Sequence, residues 1–151
     1  MMAARPARKK RPSVVREKPA WLARRLLLDT HVWLWWQLDH PRLGTAAREA
    51  IAAASEVRLS VASVWEISIK AALGKLSLPK GADILRELEL DGFTPLPIEL
   101  AHAVRVADLP PLHRDPFDRM LIAQAILEGL TLVTADPQLS QYGVRLLDAS
   151  A

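Results

Sequence analysis

Five carboxylates stand where this chain changes direction. Asp29 closes the apolar run "RLLLD", and Glu66 lies within "SVWEISIKAAL". Asp115 and Asp118 open "DPFDRMLIAQAILEG", and Asp136 follows "LTLVT". Two carboxylates about 4 Å apart repel by about 4 kcal/mol at an effective dielectric of roughly 20, so a cluster of them needs protons or a cation. Carboxylates without cysteine or a paired histidine motif suit Mg²⁺, with Mn²⁺ able to substitute. An ion held this way polarises a phosphodiester and lowers the pKa of bound water, which is metal-assisted hydrolysis.

Each acid also has a local use. Asp115 before Pro116 reads as a helix N-cap with Pro at N1, with Asp118 at N3 of a capping box. Asp136 before Pro137 reads as another cap, and Glu66 sits four residues before Lys70 in a solvated ion pair. Asp29 has no such use, because no capping box follows it.

The acids reach one place only if the elements deliver them there. Strands are expected at 25–29, 57–60, 93–96, 130–136 and 144–148. Pro95 puts the third of these at or near a sheet edge. Helices are expected at 31–38, 45–54 (capped by Thr45), 63–73 (ending at Gly74), 82–90, 98–109 and 115–129. Strands alternating with helices predict an α/β fold: a central, mostly parallel sheet of about five strands with helices on both faces. Ligands of such sheets sit outside the carboxyl ends of the strands, where Asp29 and Asp136 emerge.

The 151 residues suffice for one domain with a real core. There is no cysteine, which excludes disulfides, thiolate zinc sites and cysteine nucleophiles and fits a reducing cytoplasm. No apolar run is long enough for a membrane span. Residues 1–25 carry nine of the 20 Lys/Arg and one of the 17 Asp/Glu, so the remainder is acidic and the net +3 comes from the leader. The leader reads as disordered, or as a start placed too far upstream, since no Met lies between Met2 and Met120. Its rival role is an arm for nucleic acid. No G-x-G-x-x-G, P-loop or G-x-S-x-G elbow occurs, and His31, His40, His102 and His113 lack metalloprotease spacing, so each is expected to be structural.

Four segments in order, "LLLDTHVWLWW", "SVWEISIKAALGKL", "HRDPFDRMLIAQAILEGLTLVTAD" and "VRLLD", resemble PIN-domain proteins, specifically VapC-type toxins of bacterial toxin–antitoxin pairs. The resemblance spans about Leu26 to Asp148, making 1–24 the basic leader and 25–151 the PIN domain. It implies a three-layer α/β/α fold and a cytoplasmic Mg²⁺-dependent endoribonuclease silenced by a cognate antitoxin, with a homodimer expected. Asp29, Glu66, Asp118 and Asp136 match the family's acidic quartet. Asp29 and Asp118 rank as direct metal ligands, with Asp136 and Glu66 completing the shell or orienting water. Asp115 assists or replaces Asp118 as a ligand. Thr30 and Arg119 are secondary candidates, and Arg42, Lys70, Lys75, Arg114 and Arg119 would guide RNA. Hydrolysis in line would leave a 3′-hydroxyl and a 5′-phosphate.

Rival readings are a PIN-type nuclease on structured DNA, a metal-independent nucleic-acid-binding module working through the leader, and a phospho-receiver domain. The last would want a lysine near the final strand, where only Arg145 stands. Trp33, Trp35 and Trp36 point around more than half of one helix. Trp36 and Val32 are expected to face the core, and at least one tryptophan to meet an antitoxin segment or a second copy.

Overall fold

A computed structural model of the protein describes residues 24–78 and 83–151. The expected leader, apart from Arg24, lies outside the described residues. The elements run β1 (Arg25–Leu28), α1 (Thr30–Leu38), α2 (Thr45–Ala53), β2 (Glu56–Ser60), α3 (Val61–Ala72) and α4 (Ile84–Asp91). They continue β3 (Thr94–Leu96), α5 (Leu100–Asp108), α6 (Pro116–Glu128), β4 (Thr131–Thr134), a 3₁₀ helix (Pro137–Tyr142) and β5 (Leu146–Asp148).

The five strands form one sheet in the order β3-β2-β1-β4-β5, with every pair parallel. Pro95 sits on the edge strand β3, where its missing N–H breaks no ladder. The central strand β1 is buried on both faces. Leu26 and Leu28 enter the core shared with α1, α2, α3 and α4, while Leu27 enters the core of α6, Leu109 and the 3₁₀ helix. Side chains alternate along a strand, so a continuous leucine run serves two helical layers at once. This is the three-layer arrangement expected from the alternating elements.

Local chemistry sets most boundaries. Ser60 caps α3 by accepting from Ala62 N at 3.0 Å, and Asp83 caps α4. Gly129 ends α6 at φ +64, a left-handed conformation that favours glycine, and the chain turns from it directly into β4. One expectation fails and one is incomplete. The N-cap of α2 is Gly44, not Thr45, and no side chain caps it. Thr45 already has helical geometry, so its hydroxyl is one residue too late to cap. On α1, Val32 faces the core and Trp36 packs half-buried against it at Phe93, as expected, but the fully buried tryptophan is Trp33, 3% exposed. The direction in which α1 leaves β1 sets which of its faces meets the sheet, and periodicity alone could not choose it. Trp35 is also half-buried, stacked on His40.

Candidate metal centre

β1 lies between β2, reached in one direction, and β4, reached in the other, so the chain reverses its winding beside β1. A crevice opens at such a reversal, outside the carboxyl ends of the strands. Asp29 stands there. Its N–H still pairs with Val133 O at 2.9 Å, which extends the ladder by one residue. It occupies the N-cap position of α1 but makes no cap bond. Instead Oδ2 accepts from Thr134 Oγ1 at 2.7 Å, and that hydroxyl accepts from Asp136 N at 3.1 Å. The ends of β1 and β4 are thereby tied through one threonine. Burial raises the Asp29 carboxyl above its ordinary value against the pull of Thr134 and His31, and Glu66 adds to the rise.

Glu66 projects from α3 and is 4% exposed. Thr30 Oγ1 donates to its Oε1 at 2.7 Å and lies 2.9 Å from Ser63 Oγ, while Lys70 Nζ meets Oε2 at 2.6 Å. The i,i+4 pair therefore exists, but its acid end is buried rather than solvated. Glu66 raises the pKa of Lys70 above the ordinary lysine value, so the ammonium is engaged at the site and is not a free guide for RNA.

Asp115 caps α6, its Oδ1 accepting from Phe117 N at 2.8 Å and Asp118 N at 3.0 Å. That cap holds Asp118 on the first turn of α6 beside the other acids. Burial first, then the charges of Asp29 and Asp115, push the Asp118 carboxyl up to about 7, with Glu66 adding and His113 opposing. Asp136 caps the 3₁₀ helix through Gln138 N, leaving its Oδ2 3.6 Å from His113 Nε2. His113 Nε2 is also 2.9 Å from Asp118 Oδ2, yet it is buried with no hydrogen-bond partner. Among the described residues, His113, Asp118 and Asp136 are the one set of three donor side chains whose ligand atoms all lie within 4.8 Å of one another.

The expected quartet thus gathers at one rim, and Asp118 feels the charge of both Asp29 and Glu66. The side chains in closest array are Asp118 and Asp136 with His113. The spacing of the histidines alone made His113 merely structural, and the signal that could have marked it is its place two residues before Asp115 in "HRDPFDR". Arg119 turns away from the site. Its guanidinium donates to the carbonyls of Val106, Pro110 and Leu109 at 3.0, 2.9 and 3.2 Å, which anchors the loop carrying His113. Both terminal nitrogens are committed to these contacts, whereas Arg42, Lys75 and Arg114 are exposed. His102 does meet its structural expectation: it is 1% exposed, accepts from Glu99 N and contacts Glu128.

The residues present fit a divalent cation. Hard oxygen donors crowd until one is driven toward protonation, and a buried ring nitrogen faces two of them without hydrogen-bond geometry to either.

Comparison with known proteins agrees with this architecture. The family described as "PIN domain" matches residues 26–144. The chain is similar to Ribonuclease VapC22 of Mycobacterium tuberculosis, 34% identical over 125 residues, covering 78% of this chain and 91% of that protein. Its fold is similar to a chain of the VapBC2 structure from Rickettsia felis, bound to a promoter DNA fragment, with a TM-score of 0.63 and 16% identity. That match covers 82% of this chain and 97% of the other. A chain of FitAcB from Neisseria gonorrhoeae gives a TM-score of 0.60 at 21% identity, with 82% and 97% covered.

Proposed function

Since the chain belongs to the PIN-domain family, and within it to the VapC type, we propose that it is a divalent-metal-dependent endoribonuclease acting as the toxin of a toxin–antitoxin pair. The observation that carries this reading is the convergence of Asp29, Glu66, Asp118 and Asp136 at the β1/β4 crevice, with the Asp118 carboxyl pushed to about 7 by burial and its neighbours.

Asp29, Asp118 and Asp136 would hold the ion. Mg²⁺, or Mn²⁺ in its place, would supply polarisation of the scissile phosphate and a lowered pKa for water. The chain's own residues do the rest. Thr134 fixes the Asp29 carboxylate through the 2.7 Å bond. Thr30 and Lys70 occupy both Glu66 oxygens, so Glu66 orients water or substrate from a fixed position. The Asp115 cap holds Asp118, and Arg42, Lys75 and Arg114 remain free to meet the RNA backbone. Hydrolysis in line would leave a 3′-hydroxyl and a 5′-phosphate.

The partners belong to the same reading: an RNA substrate, a cognate antitoxin and a second copy of the chain, all in the cytoplasm. No helix among the described residues is long and apolar enough to cross a membrane. Val61, Trp65 and Ile69 of α3 and Leu73 at its C-cap follow at four-residue spacing and are 42%, 60%, 36% and 63% exposed. An apolar stripe of this kind is uncommon on a monomer, and a two-fold dimer would cover it with its own copy. The half-buried Trp35 with the exposed Leu38 is left to the antitoxin.

The test is cleavage of an RNA panel by full-length protein with and without EDTA, beside Asp29→Asn and Asp118→Asn. Both variants should remain folded and lose metal-dependent cleavage. Cleavage retained by pure Asp29→Asn protein, or nucleic-acid binding that survives EDTA but not removal of residues 1–24, would sink the reading.

A further inference from the structure

His113 stands outside the acidic set, yet it contributes the one nitrogen among the three closest donors. We propose that His113 Nε2 ligates the divalent ion directly beside Asp118 and Asp136, so that the centre takes first-row transition ions such as Mn²⁺ in preference to Mg²⁺. This rests on the metal-nuclease reading and adds a nitrogen ligand and an ion preference to it.

Three observations carry it. First, Nε2 is buried without a hydrogen-bond partner although it is 2.9 Å from one carboxylate oxygen and 3.6 Å from another. At these distances the nitrogen pairs with the carboxylates only when it carries a proton, and a coordinated ion would take the place of that proton. Second, donors on adjacent corners of an octahedron with bonds of about 2.1 Å are roughly 3 Å apart, which is the spacing of Nε2 from the Asp118 oxygen.

Third, the loop that carries His113 is held in place before any ion arrives. Arg119 bonds the carbonyls of Pro110 and Leu109, and the Asp115 cap fixes the chain two residues beyond His113. The imidazole is therefore presented by a braced segment on the same helix start that presents Asp118. A nitrogen ligand favours first-row transition ions over Mg²⁺, with Mn²⁺ the weakest of that series, because Mg²⁺ favours oxygen and keeps its water. A plain His113–Asp118 ion pair makes the opposite forecast, because the nitrogen would then stay off the metal.

The probes are Mn²⁺ and Mg²⁺ on metal-stripped full-length protein. Pulsed electron paramagnetic resonance of the Mn²⁺ form, with ¹⁵N-histidine labelling, should show coupling to one imidazole nitrogen, lost in His113→Gln and His113→Ala. Calorimetry should show Mn²⁺ affinity falling by about tenfold or more in these variants, since even an outer-shell partner is worth about 10–100-fold. Mg²⁺ affinity should fall by less than Mn²⁺ affinity does in the same variants.

If Mn²⁺ binds, and binding is lost in Asp118→Asn, but the wild-type spectrum shows no nitrogen coupling, the inference falls and the metal-nuclease reading stands. The inference falls in the same way if loss of His113 weakens both ions equally. If neither ion binds the wild type, or binding ignores Asp118→Asn, the underlying reading falls as well. The wild-type spectrum needs no variant, so a misfolded His113→Ala protein leaves the decision in place.

Discussion

Thr134 Oγ1 donates to Asp29 Oδ2 at 2.7 Å while accepting from Asp136 N at 3.1 Å, so one hydroxyl binds together two acids that lie 107 positions apart in the chain. The consequence is testable with an almost isosteric change. Thr134→Val should remove the bond and keep the β4 packing, leaving the buried Asp29 carboxylate short of a donor. Chemical denaturation should show a loss of about 1.5–3 kcal/mol at neutral pH, the range for a hydrogen bond to a charged group. Cleavage should fall by about 10–100-fold, as for other outer-shell partners of a metal ligand.

Asp118 makes the metal-free protein pH-sensitive. Its folded pKa of about 7 lies above the ordinary value of 3.8, so folding favours its protonated form. That contribution to stability is fully present below about pH 4 and is lost as pH rises through about 7. Asp29, raised by burial, acts in the same direction. Melting temperatures of EDTA-treated protein should therefore show a fall between about pH 4 and 7, the window bounded by the two pKa values, that is smaller in Asp118→Asn. A divalent ion should restore more stability at the upper end of that window than at the lower. A wild-type fall no larger than that of Asp118→Asn would overturn this account.

Arg119 is a brace, so replacing it with lysine should not be conservative. A lysine cannot reach three divergent carbonyls at once in the planar fork that Arg119 uses. Arg119→Lys should destabilise the fold by about 1–3 kcal/mol. Hydrogen exchange should rise over residues 109–114 more than in the sheet. If Arg119 instead met a phosphate, the substitution would raise the KM for RNA without loosening the loop.

The stripe on α3 makes a prediction about mass in solution. Ile69→Lys or Leu73→Lys should shift a dimer toward monomer in sedimentation, with little change in melting of the isolated fold, because both side chains are exposed in the single chain. A wild type that sediments as a monomer at every concentration would leave the stripe to another partner.

Much of this is legible in the residues themselves. The leucine run of β1, the cap-and-proline start of α6 and the glycine at its end all act within a few positions, so their elements lie close to where the residues place them. Trp33 and Trp36 are harder, because hydrophobic spacing says that a helix is buried and not which of two adjacent faces meets the sheet. Thr45 fails as a cap for a related reason: its hydroxyl has the right chemistry, but the backbone enters the helix one residue earlier.

What the sequence determined by itself is the alternation of strand and helix and the delivery of acids to the carboxyl ends of strands, because period and capping are short-range properties. Only the tertiary structure decided that β4 lies beside β1, and with it that Thr134 reaches Asp29 and that His113, Asp118 and Asp136 share one pocket of charge. Parallel strands pair across long crossovers, so strand order is a property of the packed layers and leaves no mark in any local window. The same holds for Arg119 and Lys70. Their charge is plain in the sequence, and the neighbours that use up that charge are supplied by the fold.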